Sequence, residues 1–226
     1  MTPAETVERA IRARRAVRAF LSDPVDPALL RRLLELAARA PSGTNMQPWK
    51  LRVIGPQSRA RLEPALVAAL EAGERPGVEE YRYYPAQFRE PYLARRRKVG
   101  WDLYGLLGVA RGDTEGMKRQ TAANLRFFGA PVALMLTIDR DLEIGSWLDL
   151  GMFIENLLIA AQGHGLDSCP QAIFAQFHTI VRRELAIPEE EVVVCGIAIG
   201  RADPDAPANR LVPEREPVEN FTTWLD

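Results

Sequence analysis

The chain has 226 residues, 47% hydrophobic and 26% charged, enough for one large domain or two small ones. That composition is typical of a globular enzyme and excludes disordered, collagen-like and coiled-coil classes. With 29 Lys and Arg against 30 Asp and Glu, the net charge of -1 provides no global field for a polyanion, which argues against nucleic acid as a partner.

Thr2-Pro3-Ala4-Glu5 combines a capping threonine, a proline and a glutamate three residues on, and predicts a helix from Pro3 to about Arg14. A second helix should open at Asp26-Pro27, with Leu29, Leu30, Leu33, Leu34 and Ala37 at helical spacing until Pro41. The stretch Pro41 to Pro48 reads as a loop that displays polar groups from a stiff frame. A strand over Leu51 to Gly55 and a helix over Arg59 to Ala72 follow, and Gly73 to Gly77 breaks the pattern.

Residues 81–104 hold Tyr81, Tyr83, Tyr84, Phe88, Tyr92, Trp101 and Tyr104, seven of the chain's 17 aromatic residues, interleaved with Arg82, Arg89 and the run Arg95 to Lys98. This reads as a helical insertion or lid. A helix from Thr114 to Phe128 should lead through Gly129 and Pro131 into a buried strand, Val132 to Asp139. Ser146 to Gly163 is the most hydrophobic helix, with Ser146 expected as its cap and Asp149 at its third position. Val192 to Gly200 reads as an inner strand, and the proline-rich tail after it cannot make a core of its own.

Most catalytic motifs are missing. There is no G-x-S-x-G elbow, no Walker loop and no H-E-x-x-H. His164 and His178 read as helix-end or surface residues, and metal binding is not expected. Cys169 and Cys195 have no C-x-x-C spacing, which excludes a disulfide framework and a thiolate metal cluster and fits a reducing cytoplasm. No run of 18 apolar residues and no secretory leader pattern occur, so the expectation is an unprocessed, cytoplasmic chain with no membrane partner.

An enzyme-like chain without nucleophile, metal ligands or acid/base pair suggests chemistry that belongs to a bound cofactor. Two sets of residues could grip one. In Arg14-Arg15-Ala16-Val17-Arg18, Arg14 and Arg18 share a face if helical geometry persists, and guanidinium forks match a phosphate; arginines there also suit the helix dipole. In the loop holding Ser42, Asn45 and Gln47, two side-chain amides can donate and accept along the edge of a flat heterocycle, although an ordinary turn would look the same.

Together the blocks RRAVRAF and APSGTNMQPW resemble the opening of the nitroreductase family of FMN-dependent oxidoreductases. NLRFFGAPVALML, LDLGMFIENLLIAAQGHGLDSCPQ and VVVCGIAIG followed by REP match the same family in order, so the resemblance covers nearly the whole chain. The insertion YYPAQFREPYLARRRKVGWDLYGLLGV is similar to the nitrobenzoate and nitrobenzene reductase-like branch.

The resemblance implies an α+β nitroreductase-like fold. A central mixed, mostly antiparallel sheet is flanked by helices in a homodimer with an exchanged C-terminal arm. It implies one domain over residues 1–226, with a lid at about residues 73–112 and the arm at about residues 201–226. Arg14, Arg15 and Ala16 would contact the phosphate and ribityl end of FMN, with Arg18 near the pyrimidine edge. Ser42, Asn45 and Gln47 would reach the flavin from the partner subunit. Asn124 would meet the isoalloxazine edge, Pro170, Gln171 and Ala172 would line its N5 side, and Arg215 would hold the phosphate. The aromatic insertion itself reads either as a locally packed helix pair or as a lid in which one or more of Tyr81, Tyr83, Tyr84, Phe88, Trp101 and Tyr104 cover the flavin and stack on flat acceptors. The family usually has serine where this chain has Ala16. The implied activity is hydride transfer from NADH or NADPH through FMN to a nitroaromatic or quinone-like acceptor, in a ping-pong cycle. The alternative is a flavin-binding member with specialised chemistry such as dehalogenation or flavin destruction.

Overall fold

The computed structural model describes residues 2–74 and 79–225. Helix α1 (Pro3–Ala13) begins with the expected capping box: Thr2 Oγ1 accepts from the Glu5 backbone at 3.2 Å, and Glu5 Oε2 accepts from the Thr2 backbone at 2.7 Å. The helix ends one residue earlier than expected. Arg14 is already extended (φ -61°, ψ 126°), so Arg14 and Arg18 do not share a helical face. The chain instead runs beside a later strand, where Val17 N donates to Ser168 O at 3.0 Å. Asp26 caps α2 (Pro27–Ala37) by accepting from Ala28 N at 2.9 Å.

Strand β1 (Lys50–Val53) leads into α3 (Pro56–Glu71), which passes through Pro64. Gly73 follows with φ +67°, and the rest of the expected break toward Gly77 lies mostly outside the described residues. Among its described residues, the insertion is helical in α4 (Tyr92–Leu106). Helix α5 (Thr114–Leu125) stops short of Phe128 because Phe127, Phe128 and Gly129 all take positive φ and turn the chain toward β2 (Val132–Asp139).

Helix α6 (Ile144–Gly163) starts two residues before Ser146, so neither Ser146 nor Asp149 caps it. The buried Asp149 carboxylate reaches across to the 41–48 loop and accepts from Gly43 N at 3.0 Å. By length and composition α6 could cross a membrane, but Leu150, Phe153, Leu157 and Leu158 pack it into the core. Strand β3 (Asp167–Gln171), α7 (Ile173–Gln176) and α8 (His178–Leu185) were not anticipated. Strand β4 (Glu191–Gly200) matches its expected span to within one residue.

The sheet order is β1-β2-β4-β3, and every pairing among these strands is antiparallel. The parallel contact is confined to an isolated bridge between Ala16 and Ser168. Helices cover both faces of β2 and β4, which is why Val132 to Leu136 and Val192 to Ile199 carry no polar side chain instead of alternating. Val132, Leu134, Leu136 and Ile138 point into a core shared with α2 and α6. Ala133 and Met135 point into a second core, where Leu62, Leu125, Phe174 and Val181 come from α3, α5, α7 and α8.

A bulge at Val194 shifts the alternation along β4, since Leu136 pairs with Cys195 and Thr137 with Val193. Val192 and Val194 before the shift, and Cys195, Ile197 and Ile199 after it, consequently face the same core. Gly196 sits against the stacked rings of Phe127 and Phe174, where an added Cβ would lie 2.4 Å from Phe174 Cδ2.

Strand β3 pairs only with Gly196 to Gly200, leaving one edge of β4 bare around the bulge. Two side chains from the start of the insertion occupy that edge. Val193 N donates to Glu80 Oε2 at 3.0 Å, and Tyr81 Oη donates to Val194 O at 2.6 Å. Glu80 Oε1 also accepts from Arg140 Nη2 and Arg182 Nη2, each at 2.6 Å, and His178 Nδ1 lies 3.6 Å from Oε2. The insertion is thus tied to β4, α8 and the turn after β2 through one buried carboxylate. Burial pushes the Glu80 carboxyl up, but Arg140, the Val193 amide and Arg182 outweigh it and hold the group below its usual range.

Candidate active site

Between the sheet edge, α5, α7 and the insertion lies a cleft of about 470 Å³, within the range of small-molecule sites. Of the residues expected to grip a cofactor, Arg18, Asn124, Pro170, Gln171 and Ala172 line it. Of the expected lid aromatics, Tyr81, Tyr83, Tyr84 and Tyr104 do.

Arg18 is placed by its backbone. Its N–H donates to Asn209 Oδ1 at 2.8 Å, while Asn209 Nδ2 donates to Ala19 O at 2.8 Å and Asp203 O at 2.9 Å. The Arg18 guanidinium folds back to donate to Ala16 O at 3.1 Å. Asn209 is buried, and sequence reasoning missed it: a lone amide in a proline-rich tail carries no local signal.

On the opposite wall, β3 delivers Pro170 and Gln171. Gln171 Nε2 donates to both Asn124 Oδ1 and Asn124 O at 2.7 Å, which locks the two amides together. Gln171 Oε1 is left buried with no hydrogen-bond partner among the described residues, and so is Arg15 Nε just upstream of Arg18. An acceptor and a donor buried without partners cost free energy that a bound polar molecule can recover. Cys169 also lines the cleft, but burial pushes its thiol up to about 11 despite the nearby Arg18 charge. It is therefore not a thiolate nucleophile at neutral pH.

The aromatic residues of the insertion form a chain of ring contacts. Tyr81 packs on Trp147 with centroids 4.6 Å apart, and burial pushes its phenol up, so it stays a donor to Val194. Tyr83 and Tyr84 meet edge to face at 4.6 Å, and Tyr84 meets Phe88 at 5.4 Å. Phe88 and Trp101 do not line the cleft themselves; they lie behind Tyr84 and Tyr104, with Trp101 and Tyr104 at 6.1 Å.

The remaining expected residues lie outside this cleft. Arg14 pairs with Glu155 of α6 at 3.5 Å, and Ala16 forms the bridge to Ser168. In the 41–48 loop, Thr44, Asn45 and Gln47 take positive φ, and Gln47 N donates to Ser42 Oγ at 3.0 Å, which holds Asn45 and Gln47 exposed. Arg215 is exposed and donates to the carbonyls of Pro213 and Glu214 in its own arm. That arm is tied to α4 by Arg95 and Glu216 at 2.5 Å and by Lys98 and Glu214 at 3.6 Å. Apolar side chains are exposed at Ile144 and Leu148 on one face of α6, at 80% and 69%, and at Phe221, Trp224 and Leu225 near the end of the chain, among other sites.

The fold that forms the cleft is shared with known proteins. The model of the Nitroreductase family matches residues 11–201. The chain is 37% identical over 219 residues to a nitrobenzene nitroreductase of Ectopseudomonas oleovorans, covering 97% of this chain and 96% of that protein. It is 35% identical over 215 residues to a 4-nitrobenzoate reductase of Pseudomonas putida, covering 95% and 93%. Among solved structures, the FMN-dependent nitroreductase NfnB from Mycobacterium smegmatis, in complex with NADPH, superposes with a TM-score of 0.93 at 35% identity and full coverage of both chains. On the agreement of family model, relatives and fold, this chain belongs to the nitroreductase family.

Proposed function

We propose that this protein is an FMN-dependent NAD(P)H oxidoreductase that reduces electron-poor aromatic acceptors, nitroaromatics foremost. The observation that carries this reading is the cleft itself. A fixed cation (Arg18), a locked amide pair (Asn124 and Gln171) with an acceptor free to take a hydrogen bond, and a tyrosine lid converge on one space. These features fit a flavin. Gln171 Oε1 can accept from a ring N–H, Arg15 Nε can donate to a phosphate or ribityl oxygen, and Arg18 supplies positive charge at the pyrimidine edge.

FMN, when bound, would supply the redox chemistry between NAD(P)H and the acceptor, and Arg15, Arg18, Asn124 and Gln171 would hold it. The chain's own residues position and shield. Arg18, held by Asn209, stabilises negative charge at the edge it faces. Pro170, Gln171 and Ala172 would line the flavin ring on their wall of the cleft, with Gln171 fixed by Asn124. Tyr81, Tyr83, Tyr84 and Tyr104 narrow the open side, exclude water and offer ring faces to a flat acceptor, with Phe88 and Trp101 behind them.

The functional unit in this reading is a homodimer of one-domain chains in a reducing cytoplasm. The exposed apolar face of α6 and the exposed Phe221, Trp224 and Leu225 support a second copy as partner, with the arm embracing it. Ser42, Asn45 and Gln47 then reach the flavin across the interface, and Arg14 and Arg215 serve the phosphate. Burial pushes the Cys195 thiol up to about 12, and neither cysteine forms a disulfide, which suits a reducing compartment.

The test is kinetic. Initial rates with NADPH or NADH and nitrobenzene should give parallel double-reciprocal lines, and intersecting lines would contradict the two-step cycle. Ala16→Ser is expected to tighten FMN by about 0.5–1.5 kcal/mol, roughly two- to tenfold in Kd, by restoring a hydroxyl donor. A flavin titration with equal or weaker affinity would show a site adapted to alanine.

A further inference from the structure

In the basic run on α4, Arg96 and Arg97 make no ion pair among the described residues, and of these two Arg96 lines the cleft. Arg95 pairs with Glu216, and Lys98 pairs with Asp102 at 2.7 Å and Glu214 at 3.6 Å, so both are occupied in holding the arm and the helix. Arg96 lies between them in sequence but turns about 100° around the helix from each neighbour and lines the cleft. It makes no ion pair among the described residues. Its guanidinium carbon sits 4.4 Å from the Phe88 ring centroid and 5.4 Å from that of Tyr84.

Those two rings hold the guanidinium by cation–π attraction, and its N–H groups make no hydrogen bond among the described residues. A planar fork of donors beside tyrosine faces recognises a flat molecule that carries an anionic, two-oxygen substituent. Glu79 also lines the cleft, but no carboxylate among the described residues pairs with Arg96 in place.

We infer that Arg96 is a specificity-determining residue of the acceptor site, receiving the carboxylate of benzoate-type nitroarenes while the ring lies against the lid tyrosines. This inference rests on the proposed oxidoreductase function and narrows its substrate class. Arg18 remains the cation of the flavin side, and Arg96 is the cation of the open side. The same donors could serve a phosphate of the nicotinamide dinucleotide, and separating the two half-reactions distinguishes these sources.

The experiment is stopped-flow reoxidation of the reduced holoenzyme by 4-nitrobenzoate and by nitrobenzene at matched ionic strength, comparing the parental protein with Arg96→Gln and Arg96→Lys. The reductive half-reaction is run with NADPH and with NADH. For Arg96→Gln, the half-saturating concentration of 4-nitrobenzoate should rise about tenfold or more, as expected for a lost charge-assisted bond, with nitrobenzene unchanged. Arg96→Lys should retain part of the preference, since it keeps the charge but not the fork. Equal losses for both acceptors would make Arg96 lid scaffold and overturn the inference, and so would no change for either. A selective loss in reduction by NADPH, with both acceptors unaffected, would assign the residue to the dinucleotide phosphate instead. A parental protein that binds FMN but is reoxidised by neither acceptor would remove the proposed function itself, an outcome distinct from failure of Arg96 alone.

Discussion

Glu80→Ala is expected to lower the stability of the folded protein by about 3–5 kcal/mol, because it leaves the nearly buried Arg182 guanidinium and the Val193 amide without their shared carboxylate. The loss should also loosen the lid, since Glu80 and Tyr81 together hold its first residues on the bare edge of β4. The effect is pH-dependent in one direction. The Glu80 carboxyl titrates below its ordinary value in the folded protein, so its contribution is fully present above the unfolded pKa of about 4.3. It is lost as the pH falls through the depressed folded value. Glu191 behaves alike: burial raises it, but hydrogen bonds from Arg52 and Thr137 and the Lys50 charge bring the net shift down. Urea unfolding at pH 7 and at pH 4 measures both effects. The gap between parental protein and Glu80→Ala should shrink at the lower pH. A variant with the parental midpoint at pH 7 would show that the carboxylate anchors nothing.

Arg18→Ala should weaken FMN binding about 10- to 100-fold, the consequence of losing a charge-assisted hydrogen bond of about 1.5–3 kcal/mol. Because Asn209 holds the backbone of this segment through the Arg18 amide, truncating the side chain leaves the chain path intact, and the change reports on the guanidinium alone. Reduction by NADPH at saturating FMN should slow as well, since negative charge at the pyrimidine edge loses its stabiliser. Titration of flavin-free protein followed by stopped-flow reduction separates the two. Parental affinity and rate together would move Arg18 out of the site.

Local signals made much of the fold readable. Thr2 with Glu5, and Asp26 with Pro27, mark helix starts through contacts spanning two to four residues, and both caps are present. The apolar runs within β2 and β4 are readable because both of their faces are covered. Strand β3 escaped notice since Pro170 and the polar Asp167 and Ser168 disguise it; an edge strand tolerates a proline that a central one would not. The helical phasing of Arg14 with Arg18 failed because the pairing of residues 16 and 17 with Ser168 pulls the chain out of the helix, and no neighbouring residue signals that pull.

In the cleft, Arg18, Asn124 and Gln171 were legible through family blocks, but the residues that hold the site together were not. Glu80 meets a partner 113 positions away, and Asn209 meets Arg18 across 191. Such contacts depend on how the elements pack, which spacing along the chain does not encode. The lid's aromatic richness was plain in the sequence. Which rings face the cleft was set by the anchor of Glu80 and Tyr81 on β4 and by the start of α4.

The most direct test of the central claim is the visible absorption spectrum of the purified protein before and after anaerobic addition of NADPH or NADH, then of a nitroarene. The account requires a yellow protein, or a colourless one that turns yellow on binding about one FMN per chain. Its colour must bleach with the reductant and return with the nitroarene. A protein that stays colourless in excess FMN, or a bound flavin that neither nicotinamide cofactor reduces, would contradict it.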